Sequence, residues 1–228
     1  MTSAAHEWDQ AAAAVRDAAE SLRTASTADL RAWAENAGLF SRSLWPKVKR
    51  ELYKQLDIDY DALRTAEGEQ VTEKVAEAAA AAPLVELYAA GDERGSFAVV
   101  GNGEDTAWYG TFHAEDAIFR RGDQDSADDS AAGKAAFLAG KLRDELAVPA
   151  LRLILHISNP NVDGTRLAVI AAKHGVHLEQ FEIAVDNPAS VWCEVPGHRA
   201  WQAIRLTDLL VDDDSTDTTS SDADAVVQ

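Results

Sequence analysis

Apolar positions in the first eighty residues recur at helical spacing, and from Pro83 onward they begin to alternate. Trp8, Ala12, Val15, Ala19 and Leu22 fall at threes and fours, which makes one stripe and predicts a helix over Ala4–Ala25. Ser26 or Thr27 caps a second helix, whose Leu30, Trp33 and Ala34 face inward until Gly38 stops it. Ser43 opens a third, with Pro46 tolerated in the first turn and Val48, Leu52 and Leu56 as its buried stripe. Glu69–Ala82 predicts a last helix before Pro83.

The second region reads differently. LVELYAAG (84–91), SFAVVGNG (96–103) and TAWYGTFH (106–113) are three short strand-like runs parted by turn signals, which predicts an antiparallel meander. A helix follows over Ser130–Leu146, with Ala136, Phe137, Gly140 and Leu142 toward a core. LRLILHIS (151–158) is the most continuous apolar run, the pattern of a strand buried on both faces. Asp163–His174 predicts a helix, Val176–Val185 a strand, Ser190–Glu194 another extended stretch and Ala200–Leu210 a closing helix. The fold class is therefore α/β, a mixed sheet flanked by helices, preceded by a helical N-terminal module. The expected divisions are a module at 1–82, an α/β domain at 83–210, and a tail at 211–228 too poor in apolar residues to offset its ordering entropy, hence a disordered acidic tail.

Charge changes the picture in one place. The 228 residues carry 21 Lys+Arg against 39 Asp+Glu, a net −18 that disfavours non-specific attraction to nucleic acid or anionic lipid. Any nucleic-acid contact must then be local, and residues 42–54 offer it: Arg42, Lys47, Lys49, Arg50 and Lys54 face one acid, Glu51. A single cysteine, Cys193, argues against a disulfide framework. Met1 to Trp8 has no basic segment leading into an apolar run, and no eighteen-residue apolar stretch occurs, so the expectation is a cytoplasmic protein with no membrane partner.

Several strings carry a family resemblance. LVELYAAG ends in Tyr88, Ala89, Ala90, Gly91; DDSAAGKAAFLAGKL carries Lys134; LHISNPNVDG carries Ile157 and closes on Asp163 and Gly164; VWCEVPGHRAWQAIRLTD gives Trp192, Val195, Gly197, His198 and, ten residues on, Asp208. Together with a meander followed by a helix-crossed fourth strand, these resemble the ribonuclease H family over about residues 83–210. The resemblance implies a five-stranded ribonuclease H-like sheet and sets Ala90, Lys134, Ile157 and Asp208 at the family's four carboxylate positions. That chemistry uses two divalent ions about 4 Å apart, held by clustered carboxylates. Alanine and isoleucine supply no ligand. A lysine at the metal position would repel a divalent ion by about 8 kcal/mol at an effective dielectric near 20.

The implied protein is a catalytically inactive ribonuclease H-like binding module with no cofactor, in which His198 and Arg199, with Lys134 and Arg205, face phosphate where metals once did. A second resemblance concerns Leu30, Arg31, Trp33, Ala34 and Gly38, which match the DNA-binding domain of actinobacterial nucleoid-associated silencer proteins. Those proteins place two arginines around a glycine in the following loop; here Arg42 stands alone. Two alternatives remain open. One is an active Mg²⁺-dependent ribonuclease H cleaving RNA in RNA–DNA hybrids with carboxylates from Glu86, Glu104, Asp116 or Asp163. The other is an acidic adaptor for a basic protein partner. A His156, His174, His177 metal trio, a dinucleotide loop at Gly101–Gly103 and a calcium loop among Asp123, Asp125, Asp128 and Asp129 lack the spacing those chemistries need.

Overall fold

The computed structural model describes residues 3–101 and 103–211, so the tail expected from 211 lies, from residue 212 on, outside the described residues. The chain divides into two compact units, Met1–Gln70 and Val71–Gln228.

The first unit is helical: α1 (Ser3–Asp17), α2 (Ala19–Leu22), α3 (Thr27–Asn36), α4 (Trp45–Leu56) and the start of α5 (Tyr60–Ala78), which runs through the division between units. The single helix expected over Ala4–Ala25 breaks at Ala18, whose carbonyl accepts the Ser21 hydroxyl at 2.9 Å. Ser26 and Asp29 form a capping box at the start of α3. Gly38 ends the helix at φ +67°, a conformation glycine adopts without steric cost. The last helix begins at Tyr60 rather than Glu69 because Asp59 accepts the N–H groups of Asp61 and Ala62, each at 3.1 Å. Ala11, Val15, Leu22, Leu30, Ala34, Leu39, Val48, Leu52 and Tyr60 close into one buried cluster, with Trp33 and Trp45 packed against it.

The second unit is a five-stranded mixed sheet flanked by helices. Strands β1 (Leu84–Gly91), β2 (Ser96–Val100) and β3 (Trp108–Thr111) form the antiparallel meander, and β4 (Leu151–Ile157) and β5 (Val176–Ile183) are parallel to β1, in the order β3-β2-β1-β4-β5. Helix α6 (Gln124–Leu146) precedes β4 and α7 (Gly164–Lys173) precedes β5. Val85, Leu87 and Ala89 of β1 and Leu151, Leu153, Leu155 and Ile157 of β4 share one core with the alanines of α6. At Gly91 the helix comes so close that a Cβ would lie 2.3 Å from the backbone carbonyl of Ala127.

Four expectations change. Helix α6 begins at Gln124, six residues before Ser130, because Asp123 caps it by accepting the Ser126 N–H at 3.2 Å. Strand β4 is buried by helices on one side only; Arg152, Ile154 and His156 point to the other face of the sheet, and Arg152 and Ile154 are half-buried. Ser190–Glu194 is not extended: Asn187 and Pro188 start a short helix, α8 (Pro188–Cys193), which takes Trp192 out of any strand. Ala200–Leu210 is not a helix but two 3₁₀ turns, Trp201–Ala203 and Leu206–Leu209. Leu206 and Leu209 bury at a spacing of three, and the next backbone groups are taken by the sheet, Leu210 bridging Val85 and the Val211 N–H reaching the Leu84 carbonyl at 3.0 Å.

Candidate functional site

In sheets of this kind the crevice outside the carboxyl ends of two neighbouring strands whose chains leave in opposite directions is the usual place for a ligand. Here that crevice lies beyond β1, which turns back into β2, and β4, which leads on to β5. Its central group is Asp128 of α6, 5 % exposed. One oxygen accepts the Gly91 N–H at 3.0 Å; the other accepts Gln124 Nε2 at 2.8 Å and Asn159 Nδ2 at 3.0 Å. Asp125, one turn earlier, accepts Asn159 and Asn161 at 2.9 and 3.2 Å, and those two amides hold its carboxyl below the ordinary carboxylate range.

This donor set does not fit the metal pair the ribonuclease H resemblance implies. Carboxamide N–H groups occupy the carboxylate oxygens that a divalent ion would need, and Gly91 takes the rest of Asp128. Among the described residues no three His, Cys, Asp or Glu side chains gather closely enough to hold a metal ion.

The four aligned positions do not converge. Ala90 and Ile157 lie on adjacent strands but in different clusters, Ala90 with Ala98, Val100 and Ala189, Ile157 in the main core. Lys134 is turned onto Asp116 at 3.3 Å and lies over the rings of Phe97 and Phe112 at 4.8 and 5.4 Å. Asp208 sits in the second 3₁₀ turn, beside the start of β1 and at the opposite end of that strand from Ala90, with Arg205 at 4.0 Å. The residue of α6 that reaches the strand ends is thus Asp128, and Lys134 carries no charge into the crevice.

Nor do the alternative acids assemble. Glu86 stands on the open face of the sheet against His156 at 2.7 Å, Asp163 caps α7, and Glu104 lies in a 3₁₀ turn. Burial alone would raise the Asp116 carboxyl; the Phe119 N–H, the Ser130 hydroxyl, the Ile118 N–H and Lys134 outweigh it and hold the group below its usual range. The histidines set aside from the sequence are separate here too, since His156 lies between Glu86 and Glu182 while His174 packs edge-on to Phe137. His198 is exposed in the loop after α8, and Arg199 pairs its backbone with Tyr109 and its guanidinium with Asp105 at 3.7 Å.

In the helical unit the five basic residues sort by surroundings. Lys47 is drawn inward onto Glu7 at 2.8 Å, Lys49 meets Asp61 at 2.6 Å, and Lys54 stands 3.6 Å from Glu51. Arg42 and Arg50 are exposed and have no ion-pair partner among the described residues. Helical spacing brings Pro46, Lys49, Arg50 and Tyr53 to one side of α4, where with Tyr60 they line an open cleft of about 400 Å³. Tyr53 is 59 % exposed, which is unusual for so large an apolar ring.

Sequence reasoning identifies the basic segment but not Tyr53, Asp128 or the Glu86, His156, Glu182 group. A tyrosine three residues after an arginine on a helix is a signal within reach; the others depend on partners brought from other elements of the fold. Among the described residues no helix is long and apolar enough to cross a membrane. In comparison with known proteins, no family model, no curated protein and no solved structure matches the chain.

Proposed function

We propose that this protein binds single-stranded nucleic acid without cutting it, the helical unit making the contact and the α/β unit serving as a ribonuclease H-like scaffold that has lost its metal chemistry. The scaffold reading is supported by the meander followed by two helix-crossed parallel strands, and the loss of metal chemistry by the amide and carboxylate network in the strand-end crevice.

The observation that carries the reading is the α4 face, an exposed tyrosine beside an unpaired arginine over an open cleft. Aromatic rings stack on bases of any sequence for about 1–3 kcal/mol each, and guanidinium groups neutralise phosphate. Asp59 and Asp61 also line the cleft, so Lys49 is partly neutralised, as Lys54 is by Glu51, and Arg42 and Arg50 are left as phosphate contacts. Two such contacts predict that log affinity falls with log salt at a slope of about −1.4 on single strands.

Anisotropy of a labelled single-stranded oligonucleotide, titrated from about 50 to 200 mM salt, tests this. Arg42→Glu with Arg50→Glu is expected to abolish binding and Tyr53→Ala to weaken it by about 1–3 kcal/mol. No binding at the low-salt end, or binding indifferent to these changes, overturns the proposal. A labelled RNA–DNA hybrid incubated with Mg²⁺ or Mn²⁺ is expected to stay intact.

A further inference from the structure

The face of the sheet opposite α6 is covered by α8 only over β1, β2 and β3, through Ala90, Ala98, Val100, Ala107 and Ala189. Beside that cover lies a second cleft, about 390 Å³, with Tyr88 and Trp192 as aromatic walls, Val100 and Pro188 as apolar ones, and Asp186 as a charged one. The size suits a small ligand or a single long side chain. Both aromatic walls are fixed in place: Tyr88 stacks on His156 at 4.4 Å, and Trp192 leans on Tyr109 at 5.2 Å.

The charged side chain that lines the cleft is Asp186, and Glu86 and Glu182 stand behind Tyr88. Asp186 has no ion pair or hydrogen bond among the described residues, and Asn187 beside it pins the loop by donating to the Ala89 carbonyl at 2.8 Å and accepting the Ala189 N–H at 3.0 Å. Glu86 and Glu182 hold His156 from its two sides at 2.7 and 3.2 Å. Their field reaches the cleft, since the Tyr88 hydroxyl is pushed above its usual range first by burial and then by these two carboxylates. An electron-rich ring face attracts a cation, most strongly when the cation is weakly hydrated.

We propose that the cleft between Tyr88, Trp192 and Asp186 binds an alkylated ammonium group, its methyl or methylene groups against the two rings, Val100 and Pro188, and its charge toward Asp186. A hydrated metal ion would leave the apolar walls uncovered. A neutral apolar ligand would make no use of Asp186. This site belongs to the α/β unit alone, so its test and that of nucleic-acid binding fail independently.

The test is a titration of the full chain with choline and, separately, with its neutral isostere 3,3-dimethylbutan-1-ol, followed by the Trp192 indole resonance. Choline is expected to shift the resonance saturably at millimolar concentration, and the isostere is expected not to. Asp186→Asn, at an exposed position where folding is not at stake, and Trp192→Ala should each weaken choline binding about tenfold. A peptide carrying trimethyl-lysine, compared with its unmodified form, separates the two sources of the same group: tighter binding than choline assigns a partner's side chain, weaker binding a free small cation. Equal binding of the isostere, no shift by choline, or an Asp186→Asn variant that binds as the parent does overturns the proposal.

Discussion

Removal of the Asp128 carboxylate tests the account of the strand-end crevice most directly. Its two oxygens serve three donors, and the donors differ in what they have left when it goes. Gln124 also reaches the Gly91 carbonyl at 2.8 Å and Asn159 also reaches Asp125 at 2.9 Å, whereas the Gly91 N–H has no second acceptor. An orphaned buried N–H costs about 1–3 kcal/mol and a hydrogen bond to a charged group contributes about 1.5–3, offset in part by relief of a buried charge. Asp128→Ala is therefore expected to destabilise the α/β unit by about 2–4 kcal/mol. Asp128→Asn keeps an acceptor for Gly91 but turns an amide N–H toward Gln124 and Asn159, whose own N–H groups are held by the Gly91 carbonyl and by Asp125, so it should cost about 1–2 kcal/mol, less than the alanine variant. Urea unfolding measures both variants, and hydrogen exchange at Gly91 places the effect: protection should fall sharply in the alanine variant and persist in the asparagine one. An alanine variant within about 0.5 kcal/mol of the parent, or an asparagine variant as unstable as the alanine one, would refute the view that acceptor geometry holds this crevice together.

Two further outcomes follow from groups elsewhere in the same unit. Asp116 is held below its usual range in the folded protein, so its contribution is fully present above the unfolded carboxylate value and is lost as the pH falls through the folded one. Asp116→Asn should cost about 1–2 kcal/mol near neutral pH and much less below pH ~3, read as the urea midpoint at each pH; a constant difference would sink this assignment. Burial, with the charges of Asp92 and Asp128 adding to it, pushes the Cys193 thiol up to about 12. Native protein at pH ~8 should react with iodoacetamide about a thousandfold more slowly than the urea-unfolded chain, and rates within tenfold of each other would contradict it.

How much was legible depended on how far apart the partners lie. LVELYAAG is β1 from its first residue to its last, with Val85, Leu87 and Ala89 buried at every second place, a period that a strand writes into its own chain. The Gly38 stop and the Ser26 cap are likewise local. The four aspartates before Ser130 read as a polar linker and helix N-terminus, because a buried Asp128 makes sense only with Gly91 and Asn159 in place. Ser-Val-Trp-Cys has strand-like composition, yet the Asn187 cap and Pro188 just before it make it a helix, a local start signal overriding strand propensity. In the basic segment the sequence shows five charges but not that Glu7 and Asp61, distant in the chain, neutralise two of them.

The seam between α6 and the sheet has a mechanical consequence. Ala127, Ala131, Ala132, Ala135, Ala136 and Ala139 are all but completely buried, and nothing bulkier separates the helix from β1 at Gly91. Such a row acts as a shim of fixed thickness. One added methylene on it would push the helix off the sheet, and the strain would reach two contacts together, near its start where Asp128 grips the Gly91 amide and near its middle where Lys134 reaches Asp116. Two polar contacts that share no atoms are in this way gauged by one run of methyl groups.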